Sequence, residues 1–551
     1  MYSCGLLLLS TALHKQTISP LLIHAAKVVG SKLLLSIPVL SDSFSYWKNA
    51  VSVCYNTATE VCPSLDVNLV LPQQVRGGCS FDFDVVITNN ENVDWAMKQA
   101  RFLNPAYDKN VIYANLDLPN TPSAFHLEDD HTLVDERYTD VCLGGTFDRL
   151  HNGHKILLSV GALLARKRLL VGVTTDSMLK NKPLAPLILS TGSRCAGIRS
   201  FLSTIGFPVS KLEVAELRDP FGPPAYCPEY RCIVASAESV PNCNRLNDLR
   251  QTNGLDRLDI EKIDFVSDSC PRPSPIPAEL DESKLSSSTN RFRLLGTLLR
   301  PVSVTADTAS RDPNVPYVIG LAGPSGAGKS ALARRLAQLS KRVHVIDCDR
   351  LGHEAYRPGT AFHKALIDHF GLNAIASPEP PYPIDRSRLG KLVFSDAASL
   401  KELNAIVWPE IERLVMEKLE QLHSNTAGLE HDSTARPIVI LDAAVLLPAG
   451  WDKICNEVWI AVLPRQEAQR RICERANLDP DTANERLLRQ AAAVAETTGG
   501  LDWWDVGQID TGLGPLGRAH VVLSTQWEPE CSQLQVCKAF RALEERLTSV
   551  Y

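Results

Sequence analysis

The chain has 551 residues, more than one typical domain, and this length predicts roughly three to four domains. Hydrophobic residues make up 44% of it and charged residues 22%, as in an ordinary soluble protein, and the formal net charge is −6. This charge gives no support to nonspecific nucleic-acid binding, which needs a basic surface, so we expect no nucleic-acid partner.

The 15 cysteines are odd in number and form no C-x-x-C pair. This pattern predicts a reduced intracellular protein rather than a disulfide framework or a zinc site. No stretch of the sequence is long and apolar enough for a membrane-spanning helix.

Residues 1–45 have a composition of their own. The first acidic residue is Asp42, and lysines lie among leucines, with Ser and Thr frequent. An acid-poor, weakly basic start is typical of a mitochondrial targeting or membrane-associating segment, so we expect cytoplasmic and/or mitochondrial localisation and peripheral membrane contact through this end. Arginine is absent here, and a disordered or locally packed terminus is an equal alternative.

Residues 46–136 predict a smaller N-terminal α/β region. Apolar runs predict strands at 83–88 and 110–116, and Val93–Leu103 predicts the helix between them. No chemical motif occurs in this region. Its role stays open, and a structural or interaction domain is the interpretation that we favour.

Residues 137–300 carry a stronger signal. A short apolar strand at 141–143 and a second strand at 169–174 enclose a helix with leucines at helical spacing, which predicts a βαβ unit. His151 and His154 lie where the first strand gives way to the helix. Two imidazoles there can donate hydrogen bonds to a phosphate that gains charge during in-line attack. Two histidines alone would more often be caps or surface groups, but Gly-Gly-Thr-Phe-Asp precedes them.

The run from Gly144 to His154 resembles the nucleotidyltransferases of the cytidylyltransferase-like superfamily, which transfer a nucleotidyl group from an NTP to a phosphate and release pyrophosphate. The resemblance implies a Rossmann-like domain with a parallel sheet, in which His151, His154 and Lys180 are catalytic. It also implies a set of residues that bind ATP and phosphate: Gly144, Gly145, Thr146, Phe147, Gly153, Lys182, Ser286, Ser287, Ser288 and Arg291. Taken singly, the lysines could be surface residues and the serines a polar helix cap.

A further resemblance indicates which phosphate compound accepts the nucleotidyl group. Ser236 to Ser239, with Asn247 and Arg250, looks like the S-x-E-T…N-x-x-R pattern of eukaryotic pantetheine-phosphate adenylyltransferases. The residues at 240–242 stand where that family has glycines, so the loop around Ser239 is expected to differ.

Residues 301–316 are polar, with proline at both ends, and predict a linker. The strand Tyr317–Ala322 and the helix Lys329–Leu339 are predicted around a loop that fits G-x-x-x-x-G-K-[ST]. Glycines let backbone N–H groups surround a phosphate, Lys329 can reach the outer phosphates, and the Ser330 hydroxyl can ligate Mg²⁺. A turn that binds nothing is the alternative. The predicted ATP-binding loop consists of Gly323, Pro324, Ser325, Gly326, Ala327, Gly328, Lys329 and Ser330.

Acidic residues follow two buried runs in this region. Asp347 and Asp349 come after a strand predicted at 343–346, and Asp442 lies in a run predicted as a strand at 438–447. Acids at the carboxyl ends of parallel strands belong in the ligand crevice. Of Asp347 and Asp349, one can act as a general base for an attacking hydroxyl and the other can support Mg²⁺, while Asp442 is expected near the metal or the substrate.

Residues 317–551 resemble dephospho-CoA kinase in the D-x-D and R-P-G runs at 347–359 and in the runs at 385–394 and 403–409. The resemblance implies a parallel-sheet P-loop kinase with Asp349 as base. It also implies Asp347, Asp442 and Arg475 at the substrate and Arg486 on the transferred phosphoryl group. Trp408 replaces the usual histidine, and Pro409 is expected in the first turn of a helix. Residues 491–518 exceed the family's usual length and are either an ordered excursion or a gene-model artefact.

In this order the two domains resemble the bifunctional eukaryotic CoA synthases. The resemblance implies 4′-phosphopantetheine and dephospho-CoA as substrates, ATP as co-substrate at two sites, and Mg²⁺. A different kinase fused to a different nucleotidyltransferase is one alternative, and a nucleotide-sensing scaffold that has lost one or both activities is another. Oligomeric state and transfer of the intermediate between the sites stay open.

Overall fold

The computed structural model describes residues 1–10, 13–37, 43–72, 80–116, 138–268, 276–280, 284–302, 315–394, 397–427 and 436–549. The chain forms two compact units, the first of Met1–Pro183, Ile188–Pro273 and Ala278–Asn290, and the second of Leu184–Leu187, Ser274–Pro277 and Arg291–Tyr551. The described strands form three five-stranded sheets, each built from parallel pairs, which confirms the predicted α/β class. No helix in the described ranges is long and apolar enough to cross a membrane.

The N-terminal sheet has the strand order β3-β2-β1-β4-β5. Its strands are β1 (Tyr2–Leu8), β2 (Val29–Ser36), β3 (Asp66–Leu69), β4 (Val85–Thr88) and β5 (Val111–Tyr113), and its helices are α1 (Lys15–Val28), α2 (Phe44–Val61) and α3 (Val93–Leu103).

The predicted division at residue 45 is wrong. β1 pairs with β2 on one side and with β4 on the other, so it is the central strand of this sheet. Leu6 and Leu7 are fully buried, because a parallel strand covered on both faces is apolar along its length. These leucines form core and do not face a membrane, and removal of residues 1–41 would take away the central strand.

The nucleotidyltransferase-like sheet has the order β10-β9-β6-β7-β8, which is the same order as the N-terminal sheet when each is counted from its own first strand. In both sheets the strand order reverses beside the first strand, and in open parallel sheets ligands usually bind outside the carboxyl ends of the strands at such a point. The strands are β6 (Tyr138–Gly145), β7 (Ala165–Thr174), β8 (Leu212–Leu217), β9 (Cys232–Ser236) and β10 (Asp259–Ile263); the helices are α4 (Asn152–Leu164), α5 (Thr191–Thr204), α6 (Val240–Thr252) and α7 (Ser287–Leu294).

The sheet of the second unit has the order β12-β13-β11-β14-β15. Its strands are β11 (Tyr317–Ala322), β12 (Val343–Asp347), β13 (Ile438–Asp442), β14 (Glu457–Val462) and β15 (Val521–Ser524). Its helices are α8 (Lys329–Leu339), α9 (Cys348–Ala355), α10 (Ala361–Phe370), α11 (Leu372–Ile375), α12 (Arg386–Phe394), α13 (Ala397–Ala427), α14 (Arg465–Ala476), α15 (Pro480–Thr498), α16 (Gln508–Thr511) and α17 (Pro529–Ser549).

Several predicted boundaries differ from the structure. Residues 291–300 group with the second unit, because Leu298 forms a bridge with Val521 and extends the edge of that sheet. Most of the predicted linker, 303–314, lies outside the described residues. The strand predicted at 438–447 ends at Asp442, and Pro409 lies inside α13 rather than in a first turn.

The long segment after α15 is an ordered part of the second unit. The Gln508 side chain is fully buried, and its Nε2 donates to the carbonyls of Asp502 and Asp505, at 2.7 and 2.8 Å. The Trp504 indole N–H donates to the carbonyl of Leu463, at 3.0 Å. These contacts favour the ordered excursion over the gene-model artefact.

Candidate functional site

Glycines flank the loop between β6 and α4, with Gly145 at the end of the strand and Gly153 in the first turn of the helix. Phe147 has a positive φ of 54° and is buried, and a Cβ added at Gly145 would lie 3.2 Å from the Phe147 ring. A Cβ added at Gly153 would lie 3.2 Å from the His151 ring. A side chain at either position would therefore press on one of the two rings.

His151 and His154 stand together at the start of α4. Burial lowers the pKa of His151 to about 4, although Asp148 and Asp268 oppose this. Burial also lowers the pKa of His154 well below its usual value, and the neighbouring charges of His151 and Lys182 act in the same direction. Both rings are therefore neutral at neutral pH. Within the described residues, neither buried Nδ1 atom has a hydrogen-bond partner.

Two of the other predicted residues contact this loop. The Lys182 ammonium donates to Thr146 Oγ1 at 3.1 Å, and the Ser287 hydroxyl donates to the carbonyl of Asp148 at 3.0 Å. Ser286 Oγ accepts from the backbone N–H of Thr289 at 3.1 Å and so caps the first turn of α7. Lys180 is exposed, Ser288 is partly buried and Arg291 is buried.

Arg194 on α5 braces the same loop, and no sequence pattern pointed to it. Its side chain is buried and donates to the carbonyls of Thr146 and Thr174, both at 2.8 Å, and to Asp176 at 2.7 Å. These bonds tie the end of β7 to the loop before α4. A single arginine on a helix is usually solvated, so no feature of the sequence distinguishes Arg194 from a surface residue.

Asn247 and Arg250 have structural roles around α6. Asn247 exchanges two hydrogen bonds with the backbone of Leu258, at 3.0 and 2.7 Å. The buried Arg250 guanidinium donates to the carbonyls of Asp256, Pro224, Cys227 and Tyr230. Both side chains thus satisfy buried backbone groups.

The phosphate loop of the second unit joins β11 to α8. Gly323 has a positive φ of 149°, and a Cβ there would lie 2.6 Å from the carbonyl oxygen of Ala461. The Lys329 ammonium donates to the loop carbonyls of Gly323 and Pro324, at 2.9 and 3.2 Å. Gln490 accepts from the backbone N–H of Ser325 at 2.9 Å.

Charged residues surround this loop. Burial lowers the pKa of Lys329, while Asp442 and Asp349 oppose the shift and Arg475 and Arg486 add to it. Burial raises the pKa of Asp442, which accepts a hydrogen bond from the Ser330 hydroxyl. The structure therefore brings the predicted lysine, acids and arginines into one electrostatic group.

The two acids after β12 differ in surroundings. Asp347 is the N-cap of α9 and accepts from the backbone N–H of Arg350 at 2.9 Å. It also pairs in register with Asp442 across β12 and β13. Asp349 lies exposed in the first turn of α9. Capping occupies one oxygen of Asp347, whereas Asp349 faces solvent beside Lys329.

Arg471 on α14 fastens the phosphate loop, and the sequence did not single it out. Its guanidinium donates to the carbonyl of Gly326 at 3.3 Å and to the hydroxyl and carbonyl of Thr525, at 2.9 and 2.6 Å. The Thr525 hydroxyl in turn donates to the carbonyl of Ala327 at 3.0 Å. This network joins the loop to the end of β15.

Two family models match the chain. Residues 317–501 match "Dephospho-CoA kinase" and residues 142–293 match "Cytidylyltransferase-like". The chain is 34% identical over 173 residues to a dephospho-CoA kinase of Geobacter sulfurreducens, a match that covers 31% of this chain and 81% of that protein. The chain belongs to the dephospho-CoA kinase family.

The kinase-family match does not include the first unit, which has its own relative. A phosphopantetheine adenylyltransferase of Saccharomyces cerevisiae is 38% identical over 124 residues, which are 22% of this chain and 40% of that protein. A solved dephospho-CoA kinase from Campylobacter jejuni is 16% identical, with a match that covers 42% of this chain and 98% of that one and a TM-score of 0.29. The chain is a transferase that carries a nucleotidyltransferase domain before its dephospho-CoA kinase domain, and ATP is its co-substrate.

Proposed function

We propose that this chain is a bifunctional coenzyme A synthase. It transfers adenylyl from ATP to 4′-phosphopantetheine and then phosphorylates the dephospho-CoA product with a second ATP. The observation that carries the proposal is the presence on one chain of the His151–His154 pair and of a phosphate loop in which Lys329 lies among acids and arginines. The two relatives are named for these two consecutive reactions.

In the first reaction, a phosphate oxygen of 4′-phosphopantetheine attacks the α-phosphorus of ATP, and pyrophosphate leaves. His154, with His151 beside it, donates a hydrogen bond to the oxygens of the crowded phosphorus, where charge develops. Lys182, or Lys180, orients the attacking phosphate. The N-terminal turn of α7 binds the ATP tail through Ser286, Ser287, Ser288 and Arg291.

In the second reaction, the ribose 3′-hydroxyl of dephospho-CoA attacks the γ-phosphorus of ATP, the bond to the bridging oxygen of the β-phosphate breaks, and ADP leaves. Asp349 accepts the hydroxyl proton, and Lys329 and Arg486 stabilise the charge on the transferred group. Asp347, Asp442 and Arg475 line the substrate side. No covalent enzyme intermediate is needed, since positioning and electrostatics lower the barrier.

Mg²⁺ suits the kinase domain because of the oxygen donors beside the phosphate loop. The Ser330 hydroxyl and the Asp442 carboxylate are hydrogen-bonded neighbours, and both are hard oxygen donors of the kind that Mg²⁺ takes. These two residues would hold the ion. When bound, it neutralises charge on the β- and γ-phosphates.

The test is to supply the full-length protein with 4′-phosphopantetheine, ATP and Mg²⁺ and to follow pyrophosphate, ADP and CoA. Wild type should form CoA, whereas Lys329→Ala should stop at dephospho-CoA because its first site is intact. A nucleotide-sensing scaffold would bind ATP without turnover. If neither dephospho-CoA nor CoA appears, the proposal is wrong.

We also propose that the protein works in the cytoplasm and/or the mitochondrion; the odd number of cysteines, without a C-x-x-C pair, supports a reducing compartment. Fractionation of cells that express the full chain with a C-terminal tag tests this. Recovery of the tag in the secretory fraction would contradict it.

A further inference from the structure

The N-terminal sheet and its helices hold the first turn of α4, the helix that carries both histidines. Asn152 Nδ2 donates to Thr59 Oγ1 at 2.8 Å and to the carbonyl of Tyr55 at 3.3 Å, both on α2. Lys155 Nζ donates to Asp66 Oδ1 at 2.5 Å and to the carbonyl of Val67 at 2.8 Å, both on β3. Two residues of the His-Asn-Gly-His-Lys run are thus bound to a domain to which no motif assigns a role.

Lys155 is almost fully buried at this contact. Only 7% of the lysine side chain is exposed, and its ammonium lies 5.7 and 5.8 Å from the ring centroids of Tyr55 and Phe201. A buried ammonium is strongly destabilised when its partner is removed, because it then has no compensating charge. Asp66, with 48% of its side chain exposed, is the carboxylate that provides this compensation.

Displacement of Lys155 would displace the histidines. The backbone N–H of Lys155 donates to the carbonyl of His151 at 3.0 Å, and Lys155 directly follows His154. The α2 helix also packs along α4, and the two helices share one hydrophobic cluster, in which Trp47 and Val51 join Leu158. A shift of the α4 start is therefore coupled to the N-terminal domain through both packing and charge.

We propose that Asp66 is a positioning residue for adenylyl transfer: through Lys155 it fixes the start of α4, so that the N-terminal domain sets the placement of His151 and His154. The proposal rests on the proposed adenylyltransferase activity and adds a role for residues 1–116. Asp66 acts through Lys155 and does not itself touch the substrate.

The test compares Asp66→Asn with Lys48→Ala in the full-length protein. Lys48 donates to Glu261 at 2.6 Å and to the carbonyl of Lys262, so it joins the same two domains without touching α4. We expect Asp66→Asn to lower the kcat of pyrophosphate release about ten-fold or more, with the KM for ATP unchanged, since small misplacements of catalytic groups are costly. Lys48→Ala should release pyrophosphate at the wild-type rate, and both variants should phosphorylate added dephospho-CoA normally.

A second measurement separates positioning from loss of folded protein. In a Lys329→Ala background, calorimetric titration with 4′-phosphopantetheine, which only the first reaction uses, counts the competent adenylyltransferase sites, and kcat is then expressed per site. The double variant Lys155→Met/Asp66→Asn should be no slower than Lys155→Met alone, because the carboxylate matters only through the ammonium. If Asp66→Asn had the wild-type kcat per site, or if the losses of kcat from Lys155→Met and Asp66→Asn were additive in the double variant, Asp66 would not be a positioning residue. The proposed adenylyltransferase activity would stand in either case. An inactive wild type would overturn this proposal together with the proposed function.

Discussion

The imidazole rings of His151 and His154 stack with their centroids 3.8 Å apart and their planes at 24°. His151 is the N-cap of α4 and His154 lies in its first turn, so the helix itself sets this spacing. Two imidazolium ions at this distance would repel one another, and burial disfavours charge on either ring. The pair is therefore a neutral donor group placed where a helix start already favours phosphate.

From this pair we expect His154→Ala to slow dephospho-CoA formation about 10²- to 10³-fold, the usual cost of removing one preorganised donor from a developing oxyanion. Conversion of added dephospho-CoA to CoA should stay at the wild-type rate, because the phosphate loop belongs to the other unit. Separate assays of pyrophosphate and ADP measure the two steps. Loss of both steps in a properly folded variant would contradict the two-site assignment.

The same burial predicts how stability depends on pH. The pKa of His151 is lowered from 6.5 to about 4 on folding, so between these values the unfolded chain binds more protons than the folded chain. The free energy of unfolding of the first unit should therefore rise from about pH 4 to 6.5 and be lost as the pH falls through that window. Urea unfolding at a series of pH values measures this. His151→Gln should flatten the dependence, and an unchanged slope would show that His151 does not contribute.

Elements with a strong period were predicted to the residue. The helices Val93–Leu103 and Lys329–Leu339 match the structure because their apolar residues repeat at helical spacing. The strand Tyr317–Ala322 also matches, because the phosphate-loop motif that follows it identifies a short apolar run as a strand. β1 was missed for a physical reason. A buried parallel strand is a short apolar run, which composition alone does not distinguish from a targeting segment.

The residues of the candidate sites also fall into two groups, those that a motif predicts and those that only the fold reveals. Residues whose type and spacing the chemistry requires, such as His154 and Lys329, were found from the motifs. Arg194, Arg471 and Lys155 were not, because their partners are backbone carbonyls or residues far away in sequence. Such contacts depend on which loops the fold brings together, and no local pattern encodes them.

Arg471 and its neighbour Arg470 make a matched test of the loop-fastening network. Arg470, with 56% of its side chain exposed, is paired with Glu467 and Glu474 on its own helix. We expect Arg471→Gln to raise the KM for ATP in the kinase step about ten-fold, because the carbonyl of Gly326 and Thr525 lose their donor. Arg470→Gln should change it less than about two-fold, as is usual for exposed ion pairs. Steady-state kinetics with added dephospho-CoA measures both, and equal effects would contradict a specific role for Arg471.

Gln508 tests whether the segment beyond the kinase-family match is a folded part of the second unit. Its Nε2 donates to the carbonyls of Asp502 and Asp505, and its Oε1 accepts from the backbone N–H of Leu516 at 2.9 Å. Gln508→Ala therefore leaves three backbone groups without this partner. We expect the free energy of unfolding of the second unit to fall by about 1–3 kcal/mol. Leu513→Ala, at a side chain 45% exposed in the same segment, should change it by less than about 0.5 kcal/mol.

Denaturant unfolding measures the stability of both variants, and limited proteolysis reports where the chain opens. In Gln508→Ala, cleavage should move into residues 499–518, while pyrophosphate release by the first unit stays unchanged. Gly499 and Gly500, both at positive φ, allow the chain to leave α15 and enter this excursion, so the fold permits the insertion after the family's usual helix. If both variants unfolded like wild type, the excursion would contribute nothing to the stability of the kinase domain, and the buried Gln508 network would be without energetic effect.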